Sequence, residues 1–336
     1  MNIPPSRTYL TYDDVQLIPK HSTVVSRLDV DLSVKLSNNN TLIYPVLSAP
    51  MDTITGPKMA EAMWHFGGLG IIHRFKSEEK RIEAANKAPC GVAIGLQDSI
   101  KFLGKLKKDH VVLFCLDVAH GDQLQVCDKA QEVKRAFPNT LLMVGNVATP
   151  EGAVGLAAYG ADIVKVGVGS GSICSTRLVT GFGLPMVTCL MEIREKLKKF
   201  EKPPLIVADG GIRKGADISK ALAAGADLVM FGSLLSGCEE TPGKAKGGYK
   251  VYRGMASREV MADCGKDKKG IAAEGISTKV PVKGKVVHVL SELMGGLKSA
   301  CTYVGAKNLK EFYNNTEFVQ VTNAGIIEAD THILRK

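Results

Sequence analysis

Leu156-Ala-Ala-Tyr-Gly-Ala-Asp-Ile-Val-Lys-Val-Gly167 and Leu222-Ala-Ala-Gly-Ala-Asp-Leu-Val-Met-Phe-Gly232 are near-copies of one unit. Each reads as a helix end, a glycine suited to the left-handed cap, then a short apolar strand ending in glycine. A strand buried on both faces carries such a charge-poor run and belongs to a parallel sheet. The echo therefore predicts repeated βα units instead of two unrelated domains.

Working outward, further short runs of this kind lie at 45–48, 70–73, 91–95, 112–116, 142–145 and 205–208, besides 163–166 and 228–231 within the echo. Helical stretches lie between most of them, for example 56–66, 150–159 and 214–224. Strands alternating with helices in this number predict an α/β fold, a closed (β/α)8 TIM barrel. The alternative, a doubly wound open sheet, calls for G-x-G-x-x-G after the first strand, and Ser48-Ala-Pro-Met-Asp52 stands there instead. We expect one barrel domain over 1–336, with two expanded loops. Residues 167–183, after strand six, are glycine-rich and carry Cys174. Residues 244–284, after strand eight, are rich in glycine and lysine with little periodicity, and are expected to form a mobile flap. A closing helix is expected over 286–304.

Composition narrows the function. Hydrophobic residues make up 45% and charged residues 23%, which excludes a disordered chain or a small disulfide scaffold. The apolar runs are too short to cross a bilayer. The first residues lack a stretch of signal-peptide length. Eight cysteines are scattered without C-x-x-C, so zinc has no support and a reducing cytoplasm is expected. The net charge of +9 is dispersed over lysine clusters such as 105–108, 196–202, 266–269 and 283–285. No basic stripe is interleaved with aromatics, so we expect no nucleic-acid partner and no membrane.

The chemistry sits where barrel catalysis occurs, past the C-terminal ends of strands. Val166-Gly-Val-Gly-Ser-Gly-Ser-Ile-Cys-Ser-Thr-Arg177 follows strand six, and its glycines let backbone approach a ligand or ion closely. Gly210 and Gly211 after strand seven, with Gly232 and Ser233 after strand eight, supply unhindered N–H donors at the corner where barrels bind phosphate. Met51 after strand one and Met255 in Tyr252-Arg-Gly-Met255 suit a flat base, being soft and adaptable.

Taken together, the Cys174 loop, Ala208-Asp-Gly-Gly-Ile212, Phe231-Gly-Ser233 and Tyr252-Arg-Gly-Met255 resemble the inosine-5′-monophosphate dehydrogenase/GMP reductase family. The resemblance runs from Thr11-Tyr-Asp-Asp-Val15 to Tyr303-Val-Gly-Ala306 and implies a (β/α)8 barrel. Dehydrogenases of this family usually carry a regulatory domain near the second helix, for which His73 and Gly91 leave no room. They also hydrolyse their adduct with an Arg-Tyr pair on the flap and have Gln where Glu274 stands. No Arg-Tyr pair lies between Met255 and Ala272. Gly145-Asn-Val-Ala-Thr149, Glu274-Gly275, Lys283-Gly284 and the 295–305 segment resemble the reductase branch. Leu47-Ser-Ala-Pro-Met51 looks more like the dehydrogenase, Ser170 replaces the loop's usual proline, and Ile271 stands where reductases place an arginine near the cofactor.

The resemblance implies NADPH-dependent reductive deamination of GMP to IMP and ammonia through a Cys174 adduct at purine C2. Dehydrogenation of IMP to XMP with NAD is the alternative. Thr176 and Glu274 would relay the proton to ammonia. Ser172, Gly210, Gly211, Gly232 and Ser233 would take the phosphate, Asp209 the ribose, and Met51, Gly254, Met255 and Gly275 the base. The cofactor, NADPH or NADH, would lie near Arg74, Asp117, Val118, Ala119, Val168 and Gly169, with Ser22, Thr23 and Thr302 as further contacts. Carbonyls of Gly169, Gly171 and Cys174 would hold potassium or another monovalent cation. A homotetramer is expected.

Overall fold

The computed structural model describes residues 8–331 except 38, 107–109 and 266–269. The lysine cluster at 266–269, half of that at 105–108 and part of the expected flap therefore lie outside the described residues. Eight parallel strands close into a barrel: β1 Val46–Ser48, β2 Leu69–Ile72, β3 Cys90–Ile94, β4 Val111–Asp117, β5 Leu141–Val147, β6 Ile163–Val166, β7 Leu205–Asp209 and β8 Leu228–Phe231. β8 pairs with β1, which completes the ring. The intervening helices are α1 Pro57–Phe66, α2 Glu78–Ala85, α3 Ile100–Gly104, α4 Leu124–Ala136, α5 Pro150–Ala158, α6 Thr176–Thr180, α7 Met186–Leu197 and α8 Gly215–Ala223. The closed barrel is the architecture that the strand runs imply.

Period-two alternation decides what each strand buries. In β6, Ile163 faces the barrel interior, while Val164 and Val166 face the helices. Lys165 therefore points inward with Ile163. Leu113 and Cys115 of β4, Met143 of β5 and Val207 of β7 fill the same interior. A hairpin of Val34–Lys35 and Thr41–Leu42 brings Val34, Leu36 and Leu42 against that cluster.

The sequence echo is a repeated joint. Asp162, just before β6, accepts from the Leu142 N–H at the start of β5 at 2.8 Å and from Lys134 of α4 at 2.6 Å. Asp227, just before β8, accepts from Ile206 N–H of β7 at 2.8 Å and pairs with Arg194 of α7. Each aspartate fastens a strand start to its neighbour and to the preceding helix.

The flap is more regular than expected. Its described residues contain an antiparallel ribbon, β9 Tyr249–Arg253 with β10 Ser277–Pro281, and a helix, α9 Arg258–Asp263. Tyr249-Lys-Val-Tyr-Arg253 alternates exposed and buried positions, a period too short to stand out among the surrounding glycines and lysines. Lys250 is buried. Its ammonium donates to the carbonyls of Cys238, Glu239 and Thr241 at 2.8–3.0 Å, and so anchors the ribbon to the segment after β8. The closing helix is α10, Val286–Thr302, packed on α8 and α1. A further ribbon joins Val15–Leu17 to Phe318–Gln320.

Close packing of β2 on α1 yields a stability test. A Cβ on Gly70 would lie 2.5 Å from the Ala60 Cα, whereas one on Gly155 of α5 would meet nothing within 4 Å. Gly70→Ala is expected to cost about 1–3 kcal/mol through overpacking. Gly155→Ala is expected to be neutral or to stabilise by up to about 1 kcal/mol. Denaturant midpoints of the two variants check the contrast.

Candidate active site

The loop after β6 is shaped by glycines that no other residue can replace. Gly167 has φ 143°, and a Cβ there would fall 2.0 Å from the Asp209 carbonyl oxygen. Gly210 has φ 102°, with its Cβ position 2.4 Å from Ser170 Oγ. Ser170, in the place of the usual proline, donates its hydroxyl to the Asp209 carbonyl at 2.9 Å. The loops after β6 and β7 are thus fastened together.

Cys174 lies just before α6, half-buried, with its Sγ 3.1 Å from Thr176 Oγ1. The returning arm of the flap docks on this loop by backbone pairing. Ser175 N–H donates to the Glu274 carbonyl at 2.9 Å, and Ile276 N–H to the Ile173 carbonyl at 3.0 Å. Gly275 stands opposite Cys174, and a Cβ there would lie 3.3 Å from Ser257 N. Glu274 N–H donates to the Ala256 carbonyl at 3.1 Å, which ties the two arms of the flap together. Cys174, Thr176 and Glu274 are thereby brought together from separate stretches of chain. The Glu274 carboxylate is half-buried and has no hydrogen-bond or ion-pair partner among the described residues.

The corner after β7 and β8 is rich in unused donors. The N–H groups of Gly210, Gly211, Gly232, Ser233 and Leu234 have no acceptor among the described residues. Ser172 Oγ and Tyr252 OH, 3.3 Å apart, reach the same corner, and a Cβ on Gly232 would lie 3.2 Å from that phenol and 3.4 Å from Met51 Sδ. Burial, opposed by the Ser172 hydrogen bond, pushes the Tyr252 phenol up, so it stays protonated as a donor. Tyr252 is a residue the motif reading missed. The alternation that turns Lys250 inward turns Tyr252 inward too, and was the available signal. Lys283 points its ammonium at the Ser233 and Leu234 carbonyls, 3.2 and 3.3 Å away. Gly254 and Met255 follow β9. Met255 Sδ accepts from Asp52 N–H at 3.4 Å, and Asp52 forms an ion pair with Arg253.

Asp209 ends β7 with Oδ2 taken by Lys165 and Asn146, each at 2.9 Å. Asp117 ends β4 with Oδ1 taken by Lys165 at 2.7 Å. One oxygen of each carboxylate keeps no partner among the described residues. Val118 is held to β5 by its N–H on the Gly145 carbonyl at 3.0 Å, which also sets Ala119. Arg74 follows β2, half-buried, with its Nε buried and unpartnered and its guanidinium 4.7 Å from the Phe75 ring centroid. Among carboxylates, the one on which the Arg74 charge acts is Asp98, which, against its burial, it helps to hold below the ordinary carboxylate range after the Arg81 hydrogen bond and that from Gly95 N–H. Gly169 and Val168 lie instead against α6 and the residues after it, a Cβ on Gly169 falling 2.6 Å from Arg177 Cγ and one on Gly183 2.8 Å from the Val168 carbonyl oxygen. Carbonyl oxygens are hard ligands that suit an alkali cation, and those of Gly169, Gly171 and Cys174 are the ones expected to hold it. That of Gly171 also accepts from Cys174 N–H at 3.1 Å.

Three expected cofactor contacts are not brought here within one chain. Ser22, Thr23 and Thr302 gather at the C-terminal end of α10, where Gly305 packs on Ser22 and Thr302 Oγ1 donates to the Ser299 carbonyl at 2.7 Å. α10 begins beside the segment after β8 and runs away from it for seventeen residues, about 25 Å at 1.5 Å per residue. Their small hydroxyl side chains carry no sign of that separation.

A barrel with a thiol loop, a donor-rich corner and a docked flap matches known proteins over nearly its whole length. The family model described as IMP dehydrogenase / GMP reductase domain matches residues 9–332, and the chain belongs to that family. It is similar to an inosine-5′-monophosphate dehydrogenase of Borreliella burgdorferi, 33% identical over 395 residues and covering 96% of each protein. That of Chlorobaculum parvum is 41% identical over 289 residues, which cover 79% of this chain and 58% of that protein. Among solved structures, a GMP reductase variant of Trypanosoma brucei in complex with guanosine 5′-monophosphate superposes with a TM-score of 0.91 at 26% identity, covering 97% of this chain and 98% of that one.

Thiol burial yields a test of the loop. Burial pushes Cys90, Cys189 and Cys301 up to about 12 and Cys238 to about 11, and Cys115 and Cys127 are also buried and raised. Cys174 is half-buried and Cys264 exposed. Iodoacetamide at mildly alkaline pH is expected to alkylate these two at least tenfold faster than the other six in the native protein, since only accessible thiols reach the thiolate form. Site-resolved mass spectrometry reads the order.

Proposed function

We propose that the chain is a GMP reductase, which converts GMP to IMP and ammonia at the expense of NADPH. The observation that carries this reading is the Glu274 carboxylate. It has no partner among the described residues and is held by its own backbone beside the Cys174–Thr176 pair, on a flap whose sequence lacks the Arg-Tyr pair needed to activate water. Deamination needs a proton donor for the leaving amine; hydrolysis needs an activated water.

The nucleotide phosphate sits on the N–H groups of Gly210, Gly211, Gly232 and Ser233, with Ser172 and Tyr252 as hydroxyl donors. Asp209 holds the ribose through its free oxygen, and Met51 and Met255 pack on the base. The Cys174 thiolate attacks C2. Thr176 and Glu274 deliver a proton to the departing amino group, which leaves as ammonia. NADPH, when bound, supplies a hydride that replaces the sulfur at C2, so that the thiolate is restored as IMP forms. Asp117 and Arg74 orient the cofactor, and the docked flap excludes water from the adduct. Gly169, Gly171 and Cys174 hold a monovalent cation that shapes the loop. NADH remains an alternative donor, since Ile271 does not supply the reductase arginine. The enzyme works in a reducing cytoplasm, which its unpaired cysteines fit, and as a homotetramer.

A second reading, dehydrogenation of IMP with NAD, is favoured by the names of the curated relatives. Incubation with GMP and NADPH, following loss of reduced-cofactor absorbance alongside ammonia, separates the two. Oxidation of IMP by NAD without GMP reduction would decide for the dehydrogenase. Cys174→Ala is expected to leave less than about one per cent of turnover while GMP still binds. Glu274→Gln is expected to slow GMP reduction by about 10²–10⁴-fold with little change in the Michaelis constant for GMP. A Glu274→Gln protein of undiminished rate would remove the proton-relay argument.

A further inference from the structure

Barrel interiors are ordinarily closed by layers of branched apolar side chains. Here the layer beneath the active face contains a lysine. Lys165 lies inside β6 and is 3% exposed. Its Nζ spans the mouth, 2.7 Å from Asp117 Oδ1 on β4 and 2.9 Å from Asp209 Oδ2 on β7. Asn146 of β5 donates to the same Asp209 oxygen at 2.9 Å and to the Gly167 carbonyl at 2.6 Å. The C-terminal ends of β4, β6 and β7 thus meet at one ammonium, and β5 joins them through the Asp209 oxygen that Asn146 shares with it.

Burial alone would lower the pKa of Lys165, but the charges of Asp117 and Asp209, with the hydrogen bond to Asp117, outweigh it and hold the ammonium above the ordinary lysine range. It stays charged wherever the protein is folded. Each carboxylate spends one oxygen on it, and the second oxygen, without a partner among the described residues, is left for a ligand. The Asp117 and Asp209 side chains are 18% and 23% exposed, so both remain reachable from the mouth.

We propose that Lys165 is a positioning residue shared by two ligands, its one ammonium setting the carboxylate that meets the nucleotide ribose and the carboxylate that meets the reduced cofactor. This rests on the GMP reductase reading, which puts the ribose at Asp209 and the cofactor at Asp117. Without Lys165, two carboxylates share a desolvated mouth with no cation between them. One of them then takes up a proton more readily as pH falls, because like charges disfavour ionisation. The other groups with a charge interaction here are Cys115 on β4, Arg74 after β2, Tyr12 and Tyr252. Burial holds the thiol and both phenols protonated, so Arg74 is the remaining charge, and it acts on Cys115 without an ion pair to either carboxylate.

The test is steady-state kinetics of Lys165→Met in the full chain, between pH 6 and 9, with GMP and NADPH varied separately. The Michaelis constants for both are expected to rise at least tenfold, and to rise further as pH falls and a carboxylate protonates. Lys165→Arg should recover most of both losses across that range. A rise in only one constant, or equal rises without pH dependence, would overturn the proposal. Should Lys165→Met not fold, Asp117→Asn serves instead. With Asp117 neutral the ammonium leans on Asp209, and the constant for GMP is expected to rise at least threefold although the substitution is on the cofactor side; an unchanged constant overturns the proposal. Wild-type protein that oxidises IMP with NAD but does not reduce GMP marks failure of the activity reading alone. The same variants are then read with IMP and NAD, and a joint rise still supports the shared role.

Discussion

The pairing of the flap's backbone with the thiol loop is the constraint on which the site depends. A loop with several glycines at positive φ is costly to order, because glycine loses more conformational freedom than any other residue. The hydrogen bonds from Ser175 to Glu274 and from Ile276 to Ile173 supply that order. They also bring the backbone of Glu274 beside that of Cys174, since Glu274 is itself part of the clamp. The opposite end of the flap is fixed independently by the buried Lys250 ammonium and by Arg253, which pairs with Asp52 and Asp263. A constellation drawn from the loops after β1, β6, β7 and β8 is thus held from both sides.

The polar layer under the site is no device for stability. Burying an ammonium with two carboxylates costs desolvation that their attraction offsets only with good geometry, and apolar replacements are often at least as stable. Lys165 occupies an inward position that its strand neighbour Ile163 fills with hydrocarbon. Breaking the cluster from one side is a different matter, since it would leave a buried charge unpaired.

How much of this was legible follows from what each signal depends on. Strand runs and glycine turns are local, so the barrel, the glycine loop carrying Cys174 and the donor-rich corner after β7 and β8 could be read directly. The echo around Asp162 and Asp227 was visible as a repeat, but its role as a strand joint needed the partners Lys134 and Arg194. Lys165 looked like one residue of an apolar run, and only closure of the barrel shows what its ammonium meets. The β9–β10 ribbon was hidden because its two strands are far apart in sequence and surrounded by lysines and glycines. Ser22, Thr23 and Thr302 show the limit in the other direction: a family pattern names residues, while the length of α10 places them.

The corner around Gly211 and Ser233 presents dipoles instead of charges: peptide N–H groups and the hydroxyls of Ser172 and Tyr252, with Lys283 turned to carbonyls. Screening by salt acts on separated charges and hardly on short contacts with neutral donors. The net charge of +9 acts at long range, and salt weakens it. On the proposed function, ionic strength therefore bears on how fast the phosphorylated ligand arrives at this protein and little on how long it stays.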